Sequence, residues 1–289
     1  MENKIYKNEV LDIIRAAISE DLGGYGDITS KYLISSDDKI SSYIICKDKS
    51  GAVLSGLDIA CYIIEEIDAS LEFKKLKHDG QKLNYKDKIC TINGSALSII
   101  KAERTCLNFI QHMSGIATIT NKFSTIASRH NVKIADTRKT KPLLRKLEKY
   151  AVLCGGGYNH RFGLFDGVLI KDNHITAAGG VKEAVNKVRD KIPHSLKIEV
   201  EVKNLSELKE AMNCKVDIIM LDNMNPKQAK KAAAIVKREM GSSCLVEISG
   251  NVNLNNLEDY CKTGIDLISV GYITHSAPAV DFSLEFVSS

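Results

Sequence analysis

Four cationic side chains lie next to two short apolar segments of the sequence. They are Arg138, Lys139, Arg161 and Lys171. Arg138 and Lys139 come soon after the segment 132–135, and Lys171 directly follows the segment 167–170. Both segments read as buried strands, and the carboxyl ends of parallel strands lie at one edge of a sheet. We therefore expect the four cations to share one pocket, which requires a polyanionic ligand to neutralise it.

Acidic residues alternate with aliphatic ones in the strand-like segment 197–202, KIEVEV. Side chains of a strand point alternately to its two faces, so Glu199 and Glu201 share one face. If the aliphatic face contacts surrounding helices, both glutamates lie inside a barrel, and the same parity places Asp222, Glu247 and Lys171 there. An interior network of acids paired with the cations follows. The alternative is an amphipathic strand with a solvated acidic face.

From residue 101 onward the sequence alternates between strand-like and helix-like segments. The predicted strands are 132–136, 167–171, 197–202, 216–222, 244–249 and 267–271. The predicted helices are 141–153, 180–190, 204–213, 226–240 and 253–262. About six βα units in this length predict an incomplete parallel α/β barrel of the TIM type. A doubly wound open sheet is the competing fold, but no G-x-G-x-x-G follows any strand.

The first hundred residues have a different pattern. A helical spacing of apolar residues opens the chain, and strand candidates follow at 40–46, 51–55, 71–77, 88–92 and 96–100, with a helix at about 56–67. This pattern predicts an α+β sandwich with a largely antiparallel sheet. We place the sandwich domain at 1–112, joined by the C-terminal segment 276–289, and the barrel domain at 113–275.

Composition excludes several classes of protein. The 289 residues are 44% hydrophobic, carry a net charge of +4 and contain no tryptophan, so a basic, aromatic nucleic-acid surface is not expected. The N-terminus lacks an apolar signal core, and no segment approaches the length of a membrane span. The eight cysteines show no C-x-x-C spacing. They indicate reduced thiols of a cytoplasmic protein rather than disulfides or a zinc site.

A series of short motifs runs along nearly the whole chain. In order they are EDLGGYGDITS (20–30), QHMSGIAT (111–118), ADTRKT (135–140), GGGYNHR (155–161), LIKDNH (169–174), EVEV (199–202), LDN (221–223), EISGN (247–251) and SVGYITHS (269–276). In content, order and separation these motifs resemble those of the quinolinate phosphoribosyltransferases. The resemblance implies an N-terminal sandwich and an incomplete barrel, which agrees with the fold predicted from the pattern.

The resemblance also implies a reaction and a site. Quinolinate and 5-phosphoribosyl 1-pyrophosphate would give nicotinate mononucleotide, pyrophosphate and carbon dioxide, with Mg²⁺ as cofactor, in the biosynthesis of NAD. Lys139, Lys171, Glu201 and Asp222 would be catalytic, and the two carboxylates would orient the metal. The substrate-binding residues would be Arg104, Thr137, Arg138, Lys139, His160, Arg161, Lys171, Glu201, Asp222, Ser249, Gly250, Asn251, Val270, Gly271, Tyr272 and His275. Arg104 would cross the interface of a homodimer to reach the partner's site, with a hexamer as an open alternative.

Several of these assignments have an alternative. His160 and His174 could be structural, the three glycines 155–157 could end the preceding helix, and the last two loops could be ordinary turns. In the predicted helix 141–153 we expect Lys149 to be exposed. Two other functions also stay open: a homologue of the molybdenum-transport-associated type with another pyridine substrate, and a catalytically silent metabolite-binding barrel.

Overall fold

The computed structural model describes residues 4–287 of the chain, which divide into two compact units. The first unit contains the chain up to Asn121, together with Lys141–Gly156 and the segment from Ser276 onward. The second contains Lys122–Thr140 and Gly157–His275. The predicted domain boundaries, which differ from this grouping in the segments 113–121 and 141–156, stay a prediction.

The N-terminal part combines helices with an antiparallel sheet. After a short 3-10 helix at Lys7–Glu9, its elements are α1 (Leu11–Leu22), α2 (Ile28–Leu33), β1 (Lys39–Cys46), β2 (Ala52–Val53), α3 (Leu57–Ile67), β3 (Glu72–Lys75), β4 (Lys82–Leu83), β5 (Lys88–Ser95) and α4 (Ala96–Ser128). The main sheet has the order β12-β1-β5-β3, where β12 is the C-terminal strand Phe282–Phe286, and all its pairings are antiparallel. This sheet confirms the predicted α+β character of the first hundred residues.

The rest of the chain alternates between strands and helices. Its elements are β6 (Lys133–Ala135), α5 (Arg145–Cys154), β7 (Val168–Ile170), α6 (Asp172–Ala178), α7 (Val181–Arg189), β8 (Ile198–Val202), α8 (Leu205–Asn213), β9 (Ile218–Asp222), α9 (Pro226–Met240), β10 (Leu245–Ser249), α10 (Leu257–Cys261), β11 (Leu267–Ser269), α11 (Tyr272–His275) and the strand β12 already given. Six strands pair in parallel in the order β6-β11-β10-β9-β8-β7. They confirm the predicted incomplete parallel barrel.

Local sequence explains where the barrel helices begin. The side chain of Asn204 accepts hydrogen bonds from the backbone N–H groups of Ser206 and Glu207 at the start of α8. At the start of α9, Asn225 accepts from the N–H of Gln228, and Pro226 occupies the first turn. Asparagine caps and first-turn prolines satisfy or remove backbone donors that have no partner within the helix. Each helix therefore starts soon after the strand whose carboxyl end it follows.

The register of the parallel strands aligns their carboxyl ends. Ser249 of β10 pairs with Asp222 of β9 and with Ser269 of β11. On β8, every residue from Ile198 to Val202 is buried, and the carboxylate-bearing Glu201 is 8% exposed. The glutamates of this strand therefore lie inside the barrel, as the alternation predicted, and the solvated-face alternative is wrong.

Two local predictions are wrong. Residues 96–100 begin the long helix α4 rather than forming a strand, although their apolar run also fits a strand of that length. Lys149 is 3% exposed rather than solvated, because the buried face of α5 also includes Leu147, Ala151 and Val152. A lysine beside such an apolar stripe buries its long aliphatic stem readily.

All eight cysteines lie in the described part of the chain, and none is bonded to another. Among residues 4–287, no helix combines the length and the apolar character that crossing a membrane requires.

Candidate active site

The carboxyl ends of the parallel strands surround a cavity of about 680 Å³ in the second unit. The predicted residues that line it are Thr137, Arg138, Lys139, His160, Arg161, Lys171, Glu201, Asp222, Ser249, Gly250, Asn251, Val270, Gly271, Tyr272 and His275. The cavity wall also contains five residues that sequence reasoning missed as site residues: Leu169, Met220, Asn223, Val252 and Ser269. Strand parity could have identified Leu169, Met220 and Ser269, since each lies two residues before a predicted site residue on the same strand face.

Arg161 shows how closely the cations are packed. Its guanidinium Nη1 donates a hydrogen bond to the carbonyl oxygen of Gly167 at 3.0 Å. Burial, and then the positive charge of Arg138, lower the pKa of the Arg161 guanidinium, while Glu199 acts in the opposite direction. The nearby charge of Arg138 disfavours the charged form of Arg161 and so raises the free energy of the empty pocket. A bound anion would remove this cost.

Lys171 and Glu201 form an ion pair within the predicted network of interior acids and cations. Lys171 lies between β7 and α6, and its Nζ lies 2.6 Å from Oε2 of Glu201 on the neighbouring strand β8. The lysine side chain is 46% exposed and the glutamate side chain 9% exposed. The glutamate therefore holds the ammonium group at the cavity wall, where it remains accessible to a ligand.

The loop after β10 is tied to the end of β9. The Asn223 amide donates from Nδ2 to Oδ1 of Asp222 at 2.8 Å, and its Oδ1 accepts from Nδ2 of Asn251 at 3.0 Å. Gly250 adopts φ +92°, a conformation in the left-handed region. A Cβ at Gly250 would lie 2.1 Å from Oδ1 of Asn223, so the glycine is required for this close approach.

The loop after β11 contacts Lys139. The Thr274 hydroxyl donates to the carbonyl oxygen of Lys139 at 2.8 Å. A Cβ at Gly271 would lie 3.0 Å from Cδ of Lys139 and 3.2 Å from Cδ2 of His275. Glycine at this position therefore leaves room for the lysine side chain to pass along the loop into the cavity. Together, the loops after β10 and β11 present the glycine-containing backbone that phosphate groups bind in such barrels.

His160 extends from the cavity into the barrel interior. Its backbone N–H donates to Oδ1 of the buried Asp136 at 2.8 Å, and its ring Nε2 lies 3.2 Å from Oε2 of Glu199 and 3.7 Å from Oε1 of Glu247. Asp136 also accepts from Nδ2 of Asn159 at 2.7 Å. Buried carboxylates therefore hold Asn159 and His160, the two residues that precede Arg161, in place.

The structure does not bring every predicted residue into the cavity. Arg104 lies on α4 in the first unit, with 59% of its side chain exposed and its NH2 group 3.9 Å from Oε1 of Glu103. Its role across a subunit interface stays a prediction. His174 accepts a hydrogen bond from the backbone N–H of Lys171 at 3.0 Å, which is a local structural role at the start of α6.

Glu201 and Asp222 provide the donor chemistry that magnesium prefers. Both carboxylates line the cavity, and magnesium usually binds a protein through one or two carboxylates while phosphates and waters complete its octahedron. Among the described residues, neither of the two belongs to a group of three side chains that could bind a metal ion without a ligand. The set fits a metal that arrives with a phosphorylated substrate.

The close approach at Gly250 predicts a large stability cost for Gly250→Ala. Gly264 is a matched control, because it has φ +87° but nothing within 4 Å of a built Cβ. Gly264→Ala should cost about 1–2 kcal/mol in the free energy of unfolding, from backbone strain alone. Gly250→Ala should cost about 1–3 kcal/mol more, because the methyl group must displace the Asn223 amide. Chemical denaturation measures both; equal costs would show that the contact with Asn223 is not tight.

Comparisons with known proteins agree with this geometry. The family described as quinolinate phosphoribosyl transferase, C-terminal domain, matches residues 116–285, and its N-terminal domain matches residues 27–114. A protein of Methanocaldococcus jannaschii named "Probable nicotinate-nucleotide pyrophosphorylase [carboxylating]" is 42% identical over 286 residues, which cover 97% of this chain and 98% of that protein. A Nicotiana tabacum protein named "Quinolinate phosphoribosyltransferase [decarboxylating] 2b, mitochondrial" is 37% identical and covers 96% of this chain and 82% of its own length.

The fold comparison gives the same result. The solved structure of the nicotinate-nucleotide pyrophosphorylase from Francisella tularensis superposes with a TM-score of 0.92 and 41% sequence identity, and the match covers 99% of this chain and 98% of that one. Both domain families are therefore matched in order along the chain, and the fold is shared over nearly its full length. This chain belongs to the quinolinate phosphoribosyltransferase family.

Proposed function

We propose that this chain transfers the phosphoribosyl group of 5-phosphoribosyl 1-pyrophosphate to quinolinate and removes one carboxyl group as carbon dioxide. The products are nicotinate mononucleotide and pyrophosphate, so the reaction belongs to NAD biosynthesis. The observation that carries this proposal is the convergence of Arg138, Lys139, Arg161 and Lys171 with Glu201 and Asp222 in one cavity of a family member. A protein that only binds anions would need the cations alone, whereas the two carboxylates suit a reaction in which positive charge develops on the substrate.

Quinolinate is the ligand for the cations that follow β6 and β7 and for the one in the loop between these strands. Its two carboxylates match Arg138, Arg161 and Lys171, with His160 beside them in the cavity wall. An arginine fork donates two parallel hydrogen bonds to a planar carboxylate, and lysine supplies a compact point charge. Binding the dianion would also relieve the mutual repulsion that lowers the pKa of Arg161.

The activated sugar is the ligand for the loops after β9, β10 and β11. Ser249, Gly250 and Asn251 present one loop, and Val270 and Gly271 present the next. Their backbone N–H groups suit the 5-phosphate. Thr137, Lys139, Tyr272 and His275 complete the wall beside them, where Lys139 would neutralise phosphate charge.

Glu201 and Asp222 act where the glycosidic bond changes. Departure of pyrophosphate leaves positive charge on the ribose ring, and nearby carboxylates stabilise an oxocarbenium-like state. The same two residues would hold Mg²⁺, which neutralises the diphosphate when it is bound. Lys171 holds Glu201 in place through the 2.6 Å ion pair, so substrate binding and the transition-state carboxylate are linked.

Decarboxylation follows from the new bond to the ring nitrogen. Once the pyridine nitrogen is bonded to the ribose carbon it is positively charged, and the bond from C2 to its carboxyl group breaks with the electron pair left on C2. Carbon dioxide leaves as this bond breaks, and a proton from solvent then bonds to C2. The protein contributes by holding the ring while it excludes competing orientations.

The assembly and the compartment are further parts of the proposal. Arg104 would reach the partner's quinolinate across the two-fold interface of a homodimer, and a two-fold interface makes each subunit both donor and acceptor. A hexamer stays an open alternative. The eight unbonded cysteines are consistent with a reducing, cytoplasmic location.

The reaction itself is tested by product formation. Purified protein, quinolinate, the activated sugar and magnesium should release nicotinate mononucleotide and carbon dioxide in equal amounts. Nicotinate in place of quinolinate should give little product. A protein that binds both substrates and releases no nucleotide would contradict the proposal, and preference for another pyridine would indicate a different member of the fold.

Arg161→Ala should weaken the binding of quinolinate. The change removes a bidentate contact and leaves a carboxylate unpaired in the cavity, a loss that costs roughly 2–5 kcal/mol. Isothermal titration calorimetry with quinolinate measures this cost. Arg238→Ala is the matched control, because Arg238 lies on α9 with 72% of its side chain exposed. Binding by Arg161→Ala within about a factor of two of the control would show that the assignment is wrong.

Asp222→Asn should lower turnover far more than it weakens quinolinate binding. An interaction made mainly in the transition state appears in kcat, and loss of one such electrostatic contact lowers kcat on the order of 10²-fold. The variant should also require more magnesium for half-maximal rate. Asp259→Asn on α10 is an exposed control. Unchanged turnover and unchanged magnesium dependence in Asp222→Asn would refute this role.

Mixing two inactive enzymes, Arg104→Ala and Lys171→Ala, should restore activity. If the sites are shared, each heterodimer has one site with both lesions and one with neither, so it should reach about half of wild-type activity. Arg161→Ala mixed with Lys171→Ala is the control, because both residues line the same cavity and every site stays damaged. If the first mixture recovered no activity, Arg104 would act within its own subunit, and the shared-site proposal would be wrong.

A further inference from the structure

A group of three titratable side chains lies in the barrel interior beneath the cavity. They are His160, Glu199 of β8 and Glu247 of β10. One ring nitrogen of the histidine and one oxygen of each glutamate all lie within 4.8 Å of one another. Side-chain exposure is 12% for His160, 6% for Glu199 and 0% for Glu247. Solvent therefore does not screen the interactions within this group.

The two glutamates have more acceptor atoms than the surrounding residues have donors. Oε1 of Glu199 and both carboxyl oxygens of Glu247 are buried without a hydrogen-bond partner. The hydroxyl of Ser269 on β11 lies near Glu247 and weakly stabilises its charged form, but it falls outside regular hydrogen-bond geometry. Two ionised carboxylates this close, with three oxygens left without a hydrogen bond, would be strongly destabilising in this interior. A proton on one of them turns an acceptor into a donor and resolves the conflict.

The tautomer of His160 decides between a proton and a metal ion. The backbone N–H of Arg161 donates to Nδ1 of His160 at 2.8 Å, so Nδ1 carries no hydrogen. A neutral imidazole then carries its hydrogen on Nε2, which faces Oε2 of Glu199 at 3.2 Å. Nε2 is therefore a donor and lacks the lone pair that a metal would require. The three residues resemble a metal site in composition, but the hydrogen-bond pattern favours a proton.

We infer that Glu247 is a positioning residue, a neutral carboxylic acid whose proton is donated to Glu199 and so keeps the imidazole of His160 neutral and oriented. The oriented His160 in turn accepts from the backbone N–H of Arg161 and sets the position of that arginine in the cavity. The effect on quinolinate rests on the proposed function. The protonation state of Glu247 is independent of the proposed function.

The pH range of this arrangement follows from the groups that face Glu247. Burial, and then the neighbouring charge of Glu199, raise the pKa of Glu247 to about 8, whereas His160 and Lys171, which follows β7, oppose the shift. On the other neighbouring strands, Met220 of β9 pairs with Glu247 and is uncharged, and Ser269 of β11 adds only a hydroxyl. A raised carboxyl pKa means that the neutral acid persists below about pH 8 and is lost above it. The positioning of His160 and Arg161 should therefore weaken in alkaline solution.

Two variants separate the proton from simple packing. Glu247→Gln keeps the shape and a donor for Glu199 at every pH, whereas Glu247→Leu fills similar space without a donor. Difference infrared spectra of wild type minus Glu247→Gln should show the carbonyl band of a protonated carboxylic acid at about pH 6, and this band should disappear at about pH 10. Glu258→Gln, an exposed glutamate on α10, is the control and should show no such band at about pH 6.

Kinetics test the consequence for the site. The wild-type kcat/KM for quinolinate should fall above about pH 8, and Glu247→Gln should lack this decline while keeping its neutral-pH value within about threefold. Glu247→Leu should raise KM for quinolinate about 10-fold or more and change kcat less, because it misplaces a binding residue. Nitrogen NMR should find the hydrogen of His160 on Nε2 in wild type and in Glu247→Gln.

Three results would overturn the inference. A wild-type spectrum without the carboxylic acid band would show that Glu247 is ionised. A divalent metal ion that copurifies with the protein would show a metal site if its removal by a chelator also changed the nitrogen NMR signals of His160. Equal losses in Glu247→Gln and Glu247→Leu would show a packing role only. The infrared and NMR measurements need no turnover, so a failure of the proposed reaction would not be mistaken for a failure of this inference.

Discussion

Positive charge confined in a partly buried cavity is the constraint on which the site depends. Arg138 and Arg161 are close enough that burial and their mutual repulsion lower the pKa of Arg161. The protein holds such groups together by placing carboxylates behind them, as in the pair of Lys171 with Glu201 and the contact of His160 with Glu199. The remaining imbalance is the driving force for binding a dianionic pyridine and a polyphosphorylated sugar.

The parallel barrel satisfies this constraint through its register. Side chains at the carboxyl ends of six strands reach one cavity, while residues one step deeper on the same strands reach the barrel interior. Glu201 and Glu199 illustrate this division, since the first lines the cavity and the second contacts the ring Nε2 of His160. Glu201 at the cavity wall pairs with Lys171, and the deepest carboxyl group, Glu247, is neutral in the inferred arrangement and orients its neighbours.

Period-two alternation made much of this arrangement predictable from the sequence. The buried positions of Glu199 and Glu201 were predicted from strand parity, and so was a network of interior acids with the cations, of which the Lys171–Glu201 pair is a member. The strand at 96–100 was wrong, because a short apolar run is compatible with either element and only the packing of the long helix α4 decides. Asn223 was missed because its role comes from a contact with the loop of the next strand, at Asn251, which no local pattern reveals.

The central claim is that the cavity recognises two carboxylates on one ring. Titration calorimetry of the purified protein with quinolinate and with nicotinate, which differs by one carboxylate, tests it directly. The account predicts that quinolinate binds more tightly by roughly 2–5 kcal/mol, the cost of leaving one buried charge without its partner. Equal affinities would mean that the clustered cations do not bind the second carboxylate, and would contradict the account.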